Sequence, residues 1–99
     1  MILIRWDDKK QKSNIEKHDV AFDDAATLFS DEDAIEFFDV SHSTNEDRFL
    51  IIGKVLSGRV LMVVYSFRRS RDGKEIYYRI ISARIAKKGE KQAYYSRDT

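Results

Sequence analysis

The centre of this chain reads as three strands joined by turns too short for anything but antiparallel neighbours, and any fold it adopts must be wrapped around them. Segments 48–55 and 59–67 contain the apolar runs Phe49 to Ile52 and Val60 to Tyr65, with Leu56-Ser57-Gly58 as the hairpin turn between them. Asp72-Gly73 is a second turn signal and leads into a third segment, Ile76 to Ala83. Apolar runs without polar alternation require cover on both sides, so at least the middle strand is expected to be buried on both faces.

The flanking segments supply that cover. Ile2, Ile4 and Trp6 alternate with Leu3 and Arg5, a short first strand closed by Asp7-Asp8. Asp7 is placed to cap a helix from about Asp8 to His18, because its carboxylate can accept from the unpaired amides of the next turn. Ile15 is the one aliphatic side chain beyond Ala size in that helix. It therefore buries only a thin stripe and leaves Lys9, Lys10, Lys12 and Lys17 to solvent or a ligand. Phe22, Ala25, Ala26 and Phe29 share one face of a second helix that packs on the core, with Asp23 and Asp24 favourably placed in its first turn. Ala34 to Val40 alternates as a further strand. Ala86 to Thr99 has helical composition and is expected to fray over 96–99. The expectation is one α+β domain spanning residues 1–99, with two N-terminal helices and a short C-terminal helix around an antiparallel sheet of about four to five strands.

Composition narrows the class. With 42% hydrophobic residues among 99 the chain can form one modest core, while 35% charged residues leave a highly solvated surface. No cysteine is present, so neither disulfides nor a thiolate zinc site can be built. The longest apolar run, Val60 to Tyr65, is far below the ~18 residues of a membrane span. A cytoplasmic location without membrane association is expected. The net charge of +1 conceals a strong separation: residues 1–18 carry +2, residues 19–47 carry −10 with no Lys or Arg, and residues 48–99 carry +9. Unless folding interleaves the two sets, the molecule is a dipole whose basic half suits a polyanion.

Motifs for nucleotide-driven chemistry or serine hydrolysis are absent, and four glycines provide no phosphate-cradling loop. A metal site would have to recruit His18 and His42, twenty-four residues apart, with acids of the 19–47 segment, and the ligand spacing for it is missing. Neither a metal nor another cofactor is expected. If the polyanion is RNA and the chain also cuts it, doing so without metal would need a base for the 2′-hydroxyl proton, cations for the phosphorane charge and an acid for the leaving oxygen. Lys17 and His18 from the first helix, Glu46 before the third strand, and Arg59, Arg68, Arg79 and Arg84 from the basic half are the candidates. Arginine suits phosphate because its planar fork donates two parallel hydrogen bonds.

Each has an alternative role. His18, at a helix C-terminus, either caps carbonyls or transfers a proton. Arg79 shares a strand face with Ile81, opposite Ile80 and Ser82, and is open to pairing with an acid of the 19–47 segment. Lys87, Lys88 and Lys91 read as a solvated helix face. Trp6, Tyr65, Tyr77, Tyr78, Tyr94 and Tyr95 are either core or stacking platforms for splayed bases.

One constellation is more specific. Trp6-Asp7, Lys10, Asn14, Lys17-His18, Phe22, Ala25-Ala26, Phe29 and Asp31 are followed by His42-Ser43, Glu46, Arg48, Gly53 and Gly58-Arg59. Arg79-Ile80-Ile81-Ser82-Ala83-Arg84 and Glu90-Lys91-Gln92-Ala93-Tyr94 complete it. This pattern, from Trp6 to about Tyr94, resembles the BrnT family of bacterial toxins. The resemblance implies a RelE-like fold, an endoribonuclease activity that halts growth, and neutralisation by a cognate BrnA-like antitoxin through which alone DNA is engaged. For that activity the residue chemistry assigns Lys17, His18, Glu46, Arg68 and Arg79 as the expected catalytic set, with Lys10, Arg48, Arg59 and Arg84 expected to hold RNA. Asp19 stands where the family usually has Gly after Lys-His, at a position expected to need a positive φ. A nucleic-acid-binding module without catalysis, or a protein-interaction domain, would account for the charge pattern equally well.

Overall fold

The computed structural model describes residues 3–42 and 47–96. In chain order the elements are β1 (Leu3–Arg5), α1 (Asp8–His18) and α2 (Phe22–Ala25), which runs into a 3-10 turn at Ala26–Ser30. Then follow β2 (Ile35–Phe38), a 3-10 turn at Val40–His42, β3 (Arg48–Lys54), β4 (Val60–Arg69), β5 (Ile76–Ile85) and α3 (Lys88–Tyr95). The tail expected to fray over 96–99 lies outside the described residues beyond Ser96.

The strands form one five-stranded sheet in the order β1-β5-β4-β3-β2, with β3, β4 and β5 the expected meander. The sheet is mixed rather than antiparallel throughout. β1 lies parallel to β5, with Leu3 opposite Tyr77 and Arg5 opposite Arg79. The chain leaves β1 through a helix instead of a hairpin, and a strand exiting that way can return parallel.

On one face, α2 and its 3-10 extension bury Val20, Phe22, Ala25 and Leu28 against Ile51, Leu61, Val63, Tyr65, Ile80 and Ala83. Gly53 permits this closeness: a Cβ there would sit 3.0 Å from the Ala34 Cβ and 3.0 Å from Leu28 Cγ. On the other face, Tyr94 and Ala86 cover Ile52 and Val60, so the middle strand is buried on both sides near the β3–β4 turn.

α1 is held by a polar clamp in place of a wide apolar stripe. β1 is only three residues long and reaches no further along β5 than Arg79. Beyond it, the Asn14 side chain takes the place of a neighbouring strand: its Oδ1 accepts from the Ala83 amide at 3.1 Å, and its Nδ2 donates to the Ala83 carbonyl at 2.7 Å and to the Val20 carbonyl at 2.8 Å. Asn14 is 5% exposed, so these bonds satisfy groups that water does not reach. At the helix end Asp19 adopts φ 56° and ψ 37° and donates its amide to the Ile15 carbonyl, so the position does need positive φ and an aspartate fills it.

The β4–β5 ladder contains a bulge that sequence alternation did not anticipate. Tyr65 faces Ile80 and Val64 faces Ser82, which leaves Ile81 without an opposite residue. Ser82 therefore does not share the face of Ile80; the extra residue shifts the phase and puts Arg79, Ser82 and Arg84 on the same side.

Replacing Asn14 by Ala strands the Ala83 amide and carbonyl, and is expected to lower the unfolding free energy by roughly 2–4 kcal/mol in urea titrations. A second expectation concerns alkaline pH. The Tyr65 ring lies 4.6 Å from Tyr78 and 5.0 Å from Phe29, and its hydroxyl donates to Glu36 Oε1 at 2.7 Å. Burial first, and the Glu36 carboxylate second, push the phenol well above its ordinary 10.0. The unfolded chain releases this proton near pH 10 and the folded chain does not, so stability should fall as pH rises past about 10. The pH slope of unfolding should be shallower by about one proton in Tyr65→Phe.

Candidate nucleic-acid interface

The sheet face opposite α2 carries a row of cations set by strand register alone. Arg5 on β1 is opposite Arg79 on β5, Arg79 is opposite Ser66 on β4, and Ser66 is opposite Arg48 on β3. Directly opposed residues project from the same face, and with strands about 4.8 Å apart the row spans about 14 Å. Arg68, opposite Tyr77, adds a charge in the next row. α3 reaches the other end of this face, around Ile52 and Met62, and does not cover the row.

Neighbouring cations repel, and the structure offsets this unequally. Arg5 is tied to Glu75 Oε2 at 2.5 Å and lies over the Tyr77 ring, 5.0 Å from its centroid. No ion pair to Arg79 forms among the described residues. Ser66, between Arg48 and Arg79, is fully buried, and its hydroxyl makes no hydrogen bond within the described residues. A buried hydroxyl left in that state costs about 1–3 kcal/mol.

Two clefts open beside the row. Arg5, Trp6, Asp7, Tyr77 and Arg79 line one of about 260 Å³. The other, about 230 Å³, runs along α1 past Lys10, Ser13, Lys17 and His18 to Ile81 and Ser82. Lys10, Asn14 and Lys17 share a helix face by their spacing, and the Asn14 clamp turns that face toward β5. Asp7 lines the first of these clefts. Its carboxylate caps α1 by accepting from the amides of Lys9 at 2.8 Å and Lys10 at 3.3 Å. Those bonds first, then the positive charges of Arg79 and Lys10, hold Asp7 below the usual carboxylate range.

The structure thus gathers Lys10, Lys17 and His18 along one cleft, and brings Arg79, Arg48 and Arg68 together on the sheet. His18 is exposed and its ring makes no hydrogen bond among the described residues; the Asp19 amide performs the helix closure. Glu46 lies outside the described residues. Arg59 and Arg84 stand elsewhere. Arg59 lies at the far end of β4 from Arg68, about 30 Å along the strand, and donates to Asp24 Oδ2 at 2.8 Å and to the Asp19 carbonyl at 3.0 Å. Arg84 forms a two-pronged pair with Glu90, both contacts 2.8 Å, which lowers the Glu90 pKa and raises that of Arg84. Among the aromatics, Tyr65 and Tyr94 are core, whereas Tyr77 flanks the cation row. Sequence reasoning missed Arg5 and Ser66. Alternation within β1 sets Arg5 apart from Ile4, but its register against β5 leaves no trace in the sequence. Among the described residues no group of three His, Asp or Glu side chains could hold a metal ion.

The family model for the ribonuclease toxin BrnT of type II toxin–antitoxin systems matches residues 6–90, from the end of β1 into α3. This chain belongs to the BrnT family. A 1.1 Å crystal structure of the Brucella abortus ribonuclease toxin BrnT is similar to it, with a TM-score of 0.62 and 28% identity over 89% of this chain and 100% of that one. The α+β fold, with three helices on a five-stranded mixed sheet, is thus similar to that of BrnT. Among curated proteins no sequence relative matches. Membership in a type II family brings with it an antitoxin partner. No helix of the described residues is long and apolar enough to cross a membrane.

Because Arg59 and Arg84 already serve partly exposed carboxylates of their own chain, Arg59→Ala and Arg84→Ala are each expected to destabilise the fold by about 1 kcal/mol or less. Both should leave the salt dependence of RNA binding at its wild-type slope, measured by filter binding across a salt series.

Proposed function

We propose that this chain is a metal-independent endoribonuclease toxin, RelE-like in fold, that arrests growth by cutting RNA in the cytoplasm. A BrnA-like antitoxin neutralises it, and DNA is met only through that antitoxin. The observation that carries this reading is the row Arg5-Arg79-Ser66-Arg48 lying beside the helix that holds Lys10, Lys17 and His18.

A single strand of RNA crossing the row meets the guanidinium groups of Arg5, Arg79 and Arg48, whose planar forks suit phosphate oxygens. Tyr77 and Trp6 border the same cleft and offer a ring face to an unstacked base. Cleavage by the 2′-hydroxyl then needs a proton acceptor, charge stabilisation and a proton donor. His18, exposed and with no hydrogen bond to its ring among the described residues, is suited to proton transfer, with Glu46 as the complementary group. Lys17, Arg68 and Arg79 stabilise the charge that develops on phosphorus, while Lys10 and Arg48 hold the flanking phosphates. Arg59 and Arg84 belong to the scaffold in this assignment.

The test is pure protein with single-stranded RNA in EDTA. Fragments should appear, and His18→Ala should slow single-turnover cleavage about 100-fold or more without altering RNA affinity. Arg79→Ala should weaken binding to all sequences and reduce the log–log salt slope by roughly 0.7. Binding without cleavage by the wild-type chain would leave a nucleic-acid-binding module, and absence of binding would remove RNA as the partner. Expression of the chain alone should arrest bacterial growth, and co-expression of the reading frame beside it should restore growth. Normal growth at verified soluble expression contradicts the toxin reading.

A further inference from the structure

The edge of the sheet furthest from β1 is β2, and among the described residues no strand pairs with its outer side. Across the β2–β3 ladder the Asp39 amide donates to the Arg48 carbonyl at 2.9 Å. Antiparallel pairs alternate between bonded and unbonded, so Ile35 and Phe37 direct their amides and carbonyls at β3, and Glu36 and Phe38 direct theirs outward. Those two residues present two donors and two acceptors in strand geometry, the template to which an extended segment adds. The aromatic anchors are in place: Phe37 is 48% and Phe38 50% exposed, one on each face of the strand, and Val40 just beyond is 80% exposed.

Charge selects the occupant. Glu32, Asp33, Glu36 and Asp39 lie on or beside β2, and no Lys or Arg occurs between residues 19 and 47. A second copy of the chain pairing edge to edge would set these acids against their own kind, which disfavours a homodimer. A segment that intersperses Lys or Arg with apolar residues meets both the aromatics and the acids.

We propose that the antitoxin adds a basic extended strand to the outer edge of β2. This rests on the family's antitoxin partnership and is independent of whether the chain cleaves RNA. The site stands at the opposite edge of the sheet from Arg5, so this strand anchors the antitoxin while leaving the cation row to be masked by another part of it.

The experiment compares amide hydrogen exchange in the free chain and in the complex purified after co-expression with the adjacent reading frame. Glu36 and Phe38 should exchange about tenfold more slowly, or slower still, in the complex. Equal rates in the two states overturn the proposal, as does a dimer of the free chain with those amides already protected. The charge reversals Glu32→Lys and Asp33→Lys together should weaken the complex about tenfold at low salt and less at high salt. An unchanged affinity overturns the assignment of a basic strand. Phe37→Ser should likewise reduce antitoxin affinity, with RNA binding by the free chain as in the wild type. Loss of both activities together overturns the assignment of Phe37 to an antitoxin anchor separate from the RNA face.

Discussion

The arrangement of this molecule depends on one side-chain amide. α1 has too little apolar surface to dock by hydrophobic burial, yet it carries Lys10, Lys17 and His18 and must be oriented. Asn14 solves the problem by matching the donor and acceptor of Ala83 where β1 ends and β5 would otherwise show an unpaired edge. A directional interaction fixes rotation about the helix axis in a way that a non-directional apolar contact does not. The helix is thus positioned by hydrogen bonding and its solvent side is left to charged residues.

Strand register divides the arginines into two populations that look alike in the sequence, although Arg5 of the second also pairs with Glu75. Arg59 and Arg84 are each paired with a carboxylate on a neighbouring element, where they join the β3–β4 turn to α2 and β5 to α3. Arg5, Arg79 and Arg48 are stacked across adjacent strands around a buried serine, an arrangement of like charges that a fold optimised for stability alone would not select. The full charge separation suggested by the sequence is consequently softened, because Arg59 pairs with Asp24 of the acidic segment.

The central meander, α1 and the Asp7 cap were legible because each depends on residues close in sequence: turn signals, alternation and a capping carboxylate. The positive φ at Asp19 was legible from the glycine that the BrnT family usually carries there. Three features were not. The parallel pairing of β1 with β5 joins opposite ends of the chain; the bulge at Ile81 changes facing by one residue without altering the apolar pattern; and the Arg5-Arg79-Ser66-Arg48 row exists only once four strands are in register. The candidate residues on α1 could therefore be picked out from sequence, whereas Arg5 and Ser66 acquire meaning through pairing alone.

The distance along the chain between β1 and β5 governs when the cation row can exist. Leu3 and Tyr77 are more than seventy residues apart, and everything between them must be made before they meet. Folding that waits on such a contact is slow compared with closing the β3–β4 hairpin, and during synthesis the N-terminal strand has no partner until the last strand has emerged. Arg5, the β1 edge and the seat for Asn14 are thus completed last. An unfinished chain still on the ribosome would lack the assembled row until β5 has emerged.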